Sequence, residues 1–222
     1  MLKESKLLNA PAAVPVIPSP NFDLEFPVAL ELWHRAGSRI SFAIGDVCFT
    51  QFDAADADAL FGIRNDPTVI PFMPGAQAIP YQRHLDWVST TLLQKNSNTP
   101  LILLGRAAGQ AIGFGLLKPT AEAGVLEIGV IIAGAWQRTS LPPRLGGALI
   151  AAAAQLFGAH TLVSYVNQQH GHALRLNSGA GLLQAPASDK AGEHYFRTPV
   201  SALTATPIYR RCTRGLRFTI TG

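Results

Sequence analysis

Chemistry is concentrated in the stretch Ala135-Trp136-Gln137-Arg138-Thr139-Ser140-Leu141-Pro142-Pro143-Arg144-Leu145. It follows an apolar run, 126–132, and leads into a long small-residue segment, 143–157. A buried strand, a tight loop and a helix start together form an anion site, because first-turn N–H groups lack intrahelical partners and the helix dipole favours negative charge. Gln137 and Arg138 add donors, Arg144 adds a charge, and Thr139, Ser140 and Leu141 complete the turn. The same step can also be an ordinary helix start, since proline is welcome in a first turn. His170-Gly171-His172 invites a metal reading, but no carboxylate or cysteine is spaced to complete a ligand set, so no metal is expected. There is no Gly-x-Ser-x-Gly elbow and no Cys–His pairing, so no motif marks a serine or cysteine nucleophile.

The elements that must position these residues can be read from hydrophobic period. Residues 40–44 and 47–52 form two strands joined by Gly45-Asp46, a hairpin pair. Asp53 caps a helix running to about Ile63, which Asn65-Asp66-Pro67 stops. A second helix over 81–93 carries Leu85, Val88, Leu92 and Leu93 on one face, with His84 and Trp87 nearby. The period then changes to that of strands over 100–105, 111–118 and 125–132, a meander. A helix over 143–157, a β-branched strand over 161–166, a helix over 173–180 ended by Gly181 and a late strand over 194–198 complete the order. This order predicts an α/β domain with a mixed central sheet flanked by helices.

With 222 residues, 48% hydrophobic and 14% charged, the chain can bury one substantial core and is short for two domains. Residues 1–36, with Pro11, Pro15, Pro18, Pro20 and Pro27, read as an extended proline-rich arm, apart from a short helix over 28–33. The domain is expected over 37–205, with 206–222 as a solvated basic tail. The net charge of +4 suits an anionic ligand, but its densest cluster, Tyr209 to Arg214, is short, so nucleic acid is not an expected partner. Cys48 and Cys212 are far apart and outside metal-ligand spacing, so a reducing cytoplasm is the default expectation. No run is long and apolar enough for a membrane span.

Ile63-Arg64-Asn65-Asp66-Pro67-Thr68-Val69, Phe72-Met73 and His84-Leu85-Asp86-Trp87 resemble the substrate-side helices of the GNAT superfamily of N-acetyltransferases. The branch resembled is that of ribosomal-protein and amino-sugar acetyltransferases. Ala111-Ile112-Gly113-Phe114 is similar to its third strand, and Val166-Asn167 through Ala173, Arg175-Leu176 and Gly181-Leu182 to its late strand and helix. The central motif of that family runs Gln or Arg, two residues, Gly, one residue, then Gly or Ala. Gln137 matches, while Ser140 and Pro142 depart. Pro142 has no N–H to donate, and Ser140 would resist a positive φ.

The resemblance implies a single-domain acetyltransferase fold with a splayed strand pair, acetyl-CoA as co-substrate and no metal. It implies that Val130, Ile131 and Ile132 present strand N–H groups to the thioester, where such donors stabilise a developing oxyanion. Gln137, Arg138, Thr139, Ser140, Leu141, Arg144, Asn167 and His170 would bind the coenzyme, and Arg64, Asn65, His84 and Trp87 the acceptor. Glu127 resembles the family's frequent glutamate and would act as base for the amine, although it can equally face solvent on a strand whose other side is core. His84 and Trp87 can line a pocket or pack on the sheet. Tyr165 reads as facing a neighbouring helix, and Asn177 stands where relatives carry a tyrosine.

The implied function is acetyl transfer to a primary amine of a small molecule, with an amino sugar or a protein N-terminus as candidate acceptors. The alternative is a non-catalytic binding module of the same fold with a degraded phosphate loop. A changed acyl donor is a third reading, and a homodimer is left open.

Overall fold

The computed structural model describes residues 39–73, 75–94, 98–186 and 192–221. The expected proline-rich arm, its short helix and the domain start near Gly37 lie outside them. Eight strands form one mixed sheet: β1 (Arg39–Ile44), β2 (Val47–Gln51), β3 (Leu101–Ala107), β4 (Gln110–Pro119), β5 (Val125–Ile132), β6 (Thr161–Asn167), β7 (Glu193–Pro199) and β8 (Thr219–Thr221). Their spatial order is β7-β6-β5-β4-β3-β2-β1-β8. Neighbours are antiparallel except β5 and β6, which are parallel.

Helix α1 (Ala57–Arg64) and helix α2 (Tyr81–Trp87) cover one face of the sheet. Their Leu60, Ile63 and the adjoining Val88 and Leu92 pack with Ile102, Leu104 and Phe114, and Leu116 and Ile131 border this cluster. The other face carries the larger core, where α3 (Leu141–Gln155) lays Leu145, Ala148, Leu149 and Ala152 against Leu117, Leu126, Ile128 and Ile132. Alternation along β5 thus sends Leu126, Ile128 and Ile132 to the α3 face and Glu127, Gly129 and Ile131 to the α1–α2 face. Among the described residues no helix is long and apolar enough to cross a membrane.

Several elements differ from expectation for definable reasons. The segment after Asp53 starts as a 3-10 turn, Ala54–Asp56, closed by reciprocal bonds between Asp53 and Asp56, and only then becomes α1. The expected helix over 81–93 is α-helical to Trp87 and then widens into a π turn, with the Leu93 N–H reaching the Val88 carbonyl. The wider turn shifts the phase of the last residues, so His84, Val88 and Leu92 are buried while Leu93 is exposed. Helix α3 starts two residues earlier than expected because Pro142 and Pro143 sit inside its first turn. Helix α4 (Gly171–Ala180) ends at Gly181, whose φ of 92° is the left-handed cap that glycine adopts without strain.

The largest correction concerns the expected solvated tail over 206–222, whose described part, 206–221, folds onto the domain. After α5 (Val200–Thr204), the Thr206 side chain caps α6 (Pro207–Cys212), whose Cys212 is buried against Gly147 of α3. The chain then returns to add β8 beside β1, with Phe218 edge-on to Phe42 at 5.6 Å.

Close seating of α3 depends on Gly115 of β4, where a Cβ would meet the Leu149 and Leu145 side chains at 2.8 and 3.2 Å. At Gly129 of β5 the nearest contact would be an ordinary 3.5 Å. Gly115→Ala is therefore expected to destabilise the protein by about 1–3 kcal/mol through overpacking, with Gly129→Ala near neutral. Urea unfolding of the two variants checks this, and equal midpoints would show that α3 yields freely.

Candidate functional site

Strand β5 pairs with β4 along seven residues, and β6 with β7 along seven. Between β5 and β6 the register holds only for Val125–Thr161, Leu126–Leu162 and Glu127–Val163. From Ile128 and Ser164 onward the two parallel strands part, leaving a wedge between Val130, Ile131 and Ile132 on one side and Tyr165, Val166 and Asn167 on the other. Glu127 is the last paired residue of β5 and stands at the apex of that wedge on the α1–α2 face. It is partly exposed, with Oε2 3.4 Å from Nζ of its cross-strand partner Lys118 on β4.

The loop leaving β5 spends most of its donors internally. The Gln137 and Thr139 N–H groups go to the Gly134 and Trp136 carbonyls, and the Leu141 N–H goes to Thr139 Oγ1 at 3.1 Å. Pro142 and Pro143 have none to give, and the backbone N–H groups of Arg138 and Ser140 have no acceptor among the described residues. Arg138, Thr139 and Ser140 are exposed, Leu141 is buried and Arg144 is half-buried one turn into α3. Ser140 has a φ of −75°, so the loop never asks it for the left-handed conformation anticipated from the motif. Gln137 is also placed differently from expectation. Its Nε2 donates to the Ile132 carbonyl at 2.9 Å and to Thr68 Oγ1 at 3.1 Å, holding the end of β5 to another loop.

That second loop, between α1 and α2, bridges the wedge. Asp66 Oδ1 accepts from the Thr68 N–H and hydroxyl; burial alone would raise its carboxyl, but these bonds together with the Gly134 N–H hold it below its ordinary range. Four residues on, Phe72 stacks on His170 with ring centroids 3.8 Å apart. His170 begins α4 beyond the end of β6, and burial, then His172, keeps its pKa below the usual histidine range. Asn167 closes the end of β6 by accepting from the Gln169 N–H at 2.8 Å.

The four residues expected to touch an acceptor are mostly occupied elsewhere. His84 is fully buried. Its Nε2 faces the Ala57 carbonyl at 2.9 Å and so must donate, and its Nδ1 faces Arg64 Nη1 at 3.2 Å and so must accept. The ring is thus a neutral bridge between α1 and α2, and it cannot reach in as a base. The Arg64 guanidinium lies 4.2 Å above the Trp87 ring. Asn65 accepts from the Ile79 N–H and donates to the Ile79 carbonyl, clamping the loop. Tyr165 lies 5.1 Å from Tyr195 of β7, on the sheet face opposite α3. Asn177 donates instead to Ser164 Oγ at 3.0 Å, on the side of α4.

The family model for the acetyltransferase (GNAT) domain matches residues 46–182. The chain belongs to the GNAT acetyltransferase family. Solved structures agree on the fold. A spermidine N-acetyltransferase from Vibrio cholerae, in complex with CoA and spermine, aligns with a TM-score of 0.59 at 12% identity, over 72% of this chain and 99% of that one. A ribosomal-protein-alanine N-acetyltransferase from Brucella melitensis gives 0.55 at 16%, over 68% and 98%. A probable GNAT-family acetyltransferase from Chromobacterium violaceum gives 0.59 at 20%, over 74% and 93%. No curated protein matches the chain by sequence.

For a GNAT domain, the residues that sequence reasoning missed are those tying the wedge together. Asp66, Thr68 and Phe72 stand inside the stretches that resemble the family's substrate-side helices, but their residue types alone did not mark them as struts. Tyr195, Arg197 and Glu193 were signalled by alternation along the late strand, which places all three on the Glu127 side, opposite buried Phe196.

Burial, the largest influence on His84, lowers its pKa below the ordinary 6.5 and outweighs the Ala57 carbonyl, which raises it. A depressed folded-state pKa means that the unfolded chain takes up the proton first as pH falls, so stability is full above the ordinary value and declines below it. Stability is expected to fall between about pH 7 and 5, and less steeply in His84→Gln. Urea midpoints across that range test it; parallel curves would mean that His84 stays neutral in both states.

Proposed function

We propose that this GNAT protein transfers an acetyl group from acetyl-CoA to a primary amine of a small molecule by direct attack. The observation that carries the reading is the wedge between β5 and β6, opening at Glu127 and leading into a loop and helix start. Val130, Ile131 and Ile132 would border the pantetheine arm. Strand N–H groups there can stabilise the oxyanion that develops as the amine attacks. The Arg138 and Ser140 N–H groups, with the Arg138 and Arg144 side chains, would hold the phosphates. Asn167 and His170 would border the coenzyme from the β6 side.

Glu127 is positioned for the proton. It lies on the sheet face opposite α3, so it does not look toward the phosphate loop, and an amine entering over α1 and α2 would meet it at the apex. Taking the ammonium proton, directly or through water, leaves a neutral amine to attack, and the coenzyme's thiolate then departs without needing a dedicated acid. The acceptor contacts proposed for Arg64 and Trp87 are through the outer faces of their stacked pair, while His84 and Asn65 hold that wall in place.

A second reading is favoured by the loop. With two prolines in the first turn and the Leu141 N–H engaged by Thr139, the chain could bind a ligand weakly and catalyse nothing. Acetyl-CoA is expected to raise the melting temperature by mass action; no shift at millimolar ligand would favour this second reading. Glu127→Gln separates the two further. Its coenzyme affinity should match wild type while turnover of an amine drops by about 10²–10⁴-fold, the usual contribution of a general base. The deficit should shrink as pH approaches the amine's own pKa, because more acceptor then arrives deprotonated. Unchanged turnover across that range would remove Glu127 from the mechanism.

A further inference from the structure

Glu193 opens β7 and pairs with Asn167 at the far end of β6. It is half-buried, and its Oε2 is out of solvent with no hydrogen-bond partner among the described residues. A charged acceptor in that condition is unfavourable until a donor, and preferably a counter-charge, reaches it. Among the described residues, the cations nearest in register are committed elsewhere: Arg197 bonds Glu122 at 2.6 Å and also reaches the Tyr195 hydroxyl, and Lys118 lies beside Glu127. His194, next in the strand, points to the opposite face and shares a hydrogen bond with Gln184. On the Glu193 face the neighbouring side chains are Tyr165 and Tyr195, half-buried rings tilted 33° to each other.

A carboxylate short of a donor beside two aromatic rings is the chemistry of a cation site, through a charge-assisted hydrogen bond and attraction to the ring faces. We infer that the acceptor carries a second cationic group, an ammonium that Glu193 receives and the Tyr165–Tyr195 pair flanks. The inference rests on the acceptor lying on this face, as in the proposed function. Glu127 is level with Val163 and Glu193 with Asn167. Those four steps along β6 amount to about 13 Å, and two strand spacings add about 10 Å across. The two α-carbons are therefore roughly 16 Å apart, which is too far for both carboxylates to hold one amine. They are placed to hold the two ends of an extended diamine, the reacting end at Glu127 and the anchored end at Glu193.

The test is calorimetry, in the presence of CoA, of α,ω-diamines from propane to decane and of the n-alkylamines of matching length. At the best length the diamine should bind at least about tenfold more tightly than its monoamine, as expected for one added charged hydrogen bond. Glu193→Gln should abolish that advantage. Equal affinities for diamine and monoamine in the wild-type protein, or no binding of any diamine, would overturn the inference however the variant folds. An advantage that persists in a cooperatively melting Glu193→Gln protein would overturn the assignment to Glu193. Because the readout is binding, the transferase reading fails separately. Diamines bound through Glu193 but never acetylated would remove the activity and leave the site, whereas monoamines acetylated as readily as diamines would do the reverse.

Discussion

Between β5 and β6 the sheet gives up its hydrogen bonding after the Glu127–Val163 pair, and the rest of the molecule is arranged so that this loss is tolerated. Each strand keeps a complete ladder on its other side, seven residues with β4 and seven with β7. Neither is therefore free to collapse into the gap. Helix α3 joins them as a crossover and is seated against the sheet by Leu145 and Leu149 over Gly115, while Asn177 of α4 holds β6 through Ser164. Strand edges that face each other without pairing leave backbone donors and acceptors unsatisfied, which an interior does not tolerate unless something else supplies partners. In the proposed reading, the amides of the pantetheine arm are those partners.

The α1–α2 loop makes the wedge a property of both halves of the domain. At one end the Gln137 side chain links the Ile132 carbonyl to Thr68, and Thr68 is fixed in turn by Asp66. At the other, Phe72 lies flat on His170 beyond β6. One short segment thus touches both sides of the opening. Its own position is set by Asn65 on Ile79 and by the buried His84 between α1 and α2. A residue on this segment can change the width of the wedge without contacting either substrate, which is why polar side chains that look like ligands in the sequence are used as struts.

The parts legible in the sequence were those governed by local pattern. Alternation and β-branching located the meander and β6, and the small residues over 143–157 marked the helix that packs most closely. What escaped was decided by partners distant in the chain. Gln137 sits where a phosphate donor belongs by spacing, but its partner Thr68 lies 69 positions earlier. A histidine on an amphipathic helix reads as a candidate base, and only the Ala57 carbonyl and Arg64 from α1 show that His84 is walled in. The arginines near Tyr209 outweighed two signals that were present: Thr206-Pro207 as a cap and first turn, and the alternation of Leu216, Phe218 and Ile220 leading to the edge strand. A local cluster of charge hid a pattern that single positions carried.

The departure at Ser140 and Pro142 looks different once the loop is seen as a whole. A helix start attracts anions through N–H groups that no carbonyl has claimed, and here the first turn has been nearly emptied of them by two prolines and by Thr139. What remains is displaced backward onto the loop, at Arg138 and Ser140, and outward onto guanidinium groups at Arg138 and Arg144. The helix dipole largely persists, because the peptides behind the first turn stay aligned, although its first-turn N–H contribution is reduced. The site thus exchanges fixed backbone donors for side-chain charge on a partly exposed surface. Guanidinium groups recognise phosphate well, but exposed charges are screened by salt in a way that enclosed N–H groups are not. In the proposed reading, then, the loop is a cradle that has moved from geometry toward electrostatics, with Pro142 buried beneath it as part of the core and not as a gap in the motif.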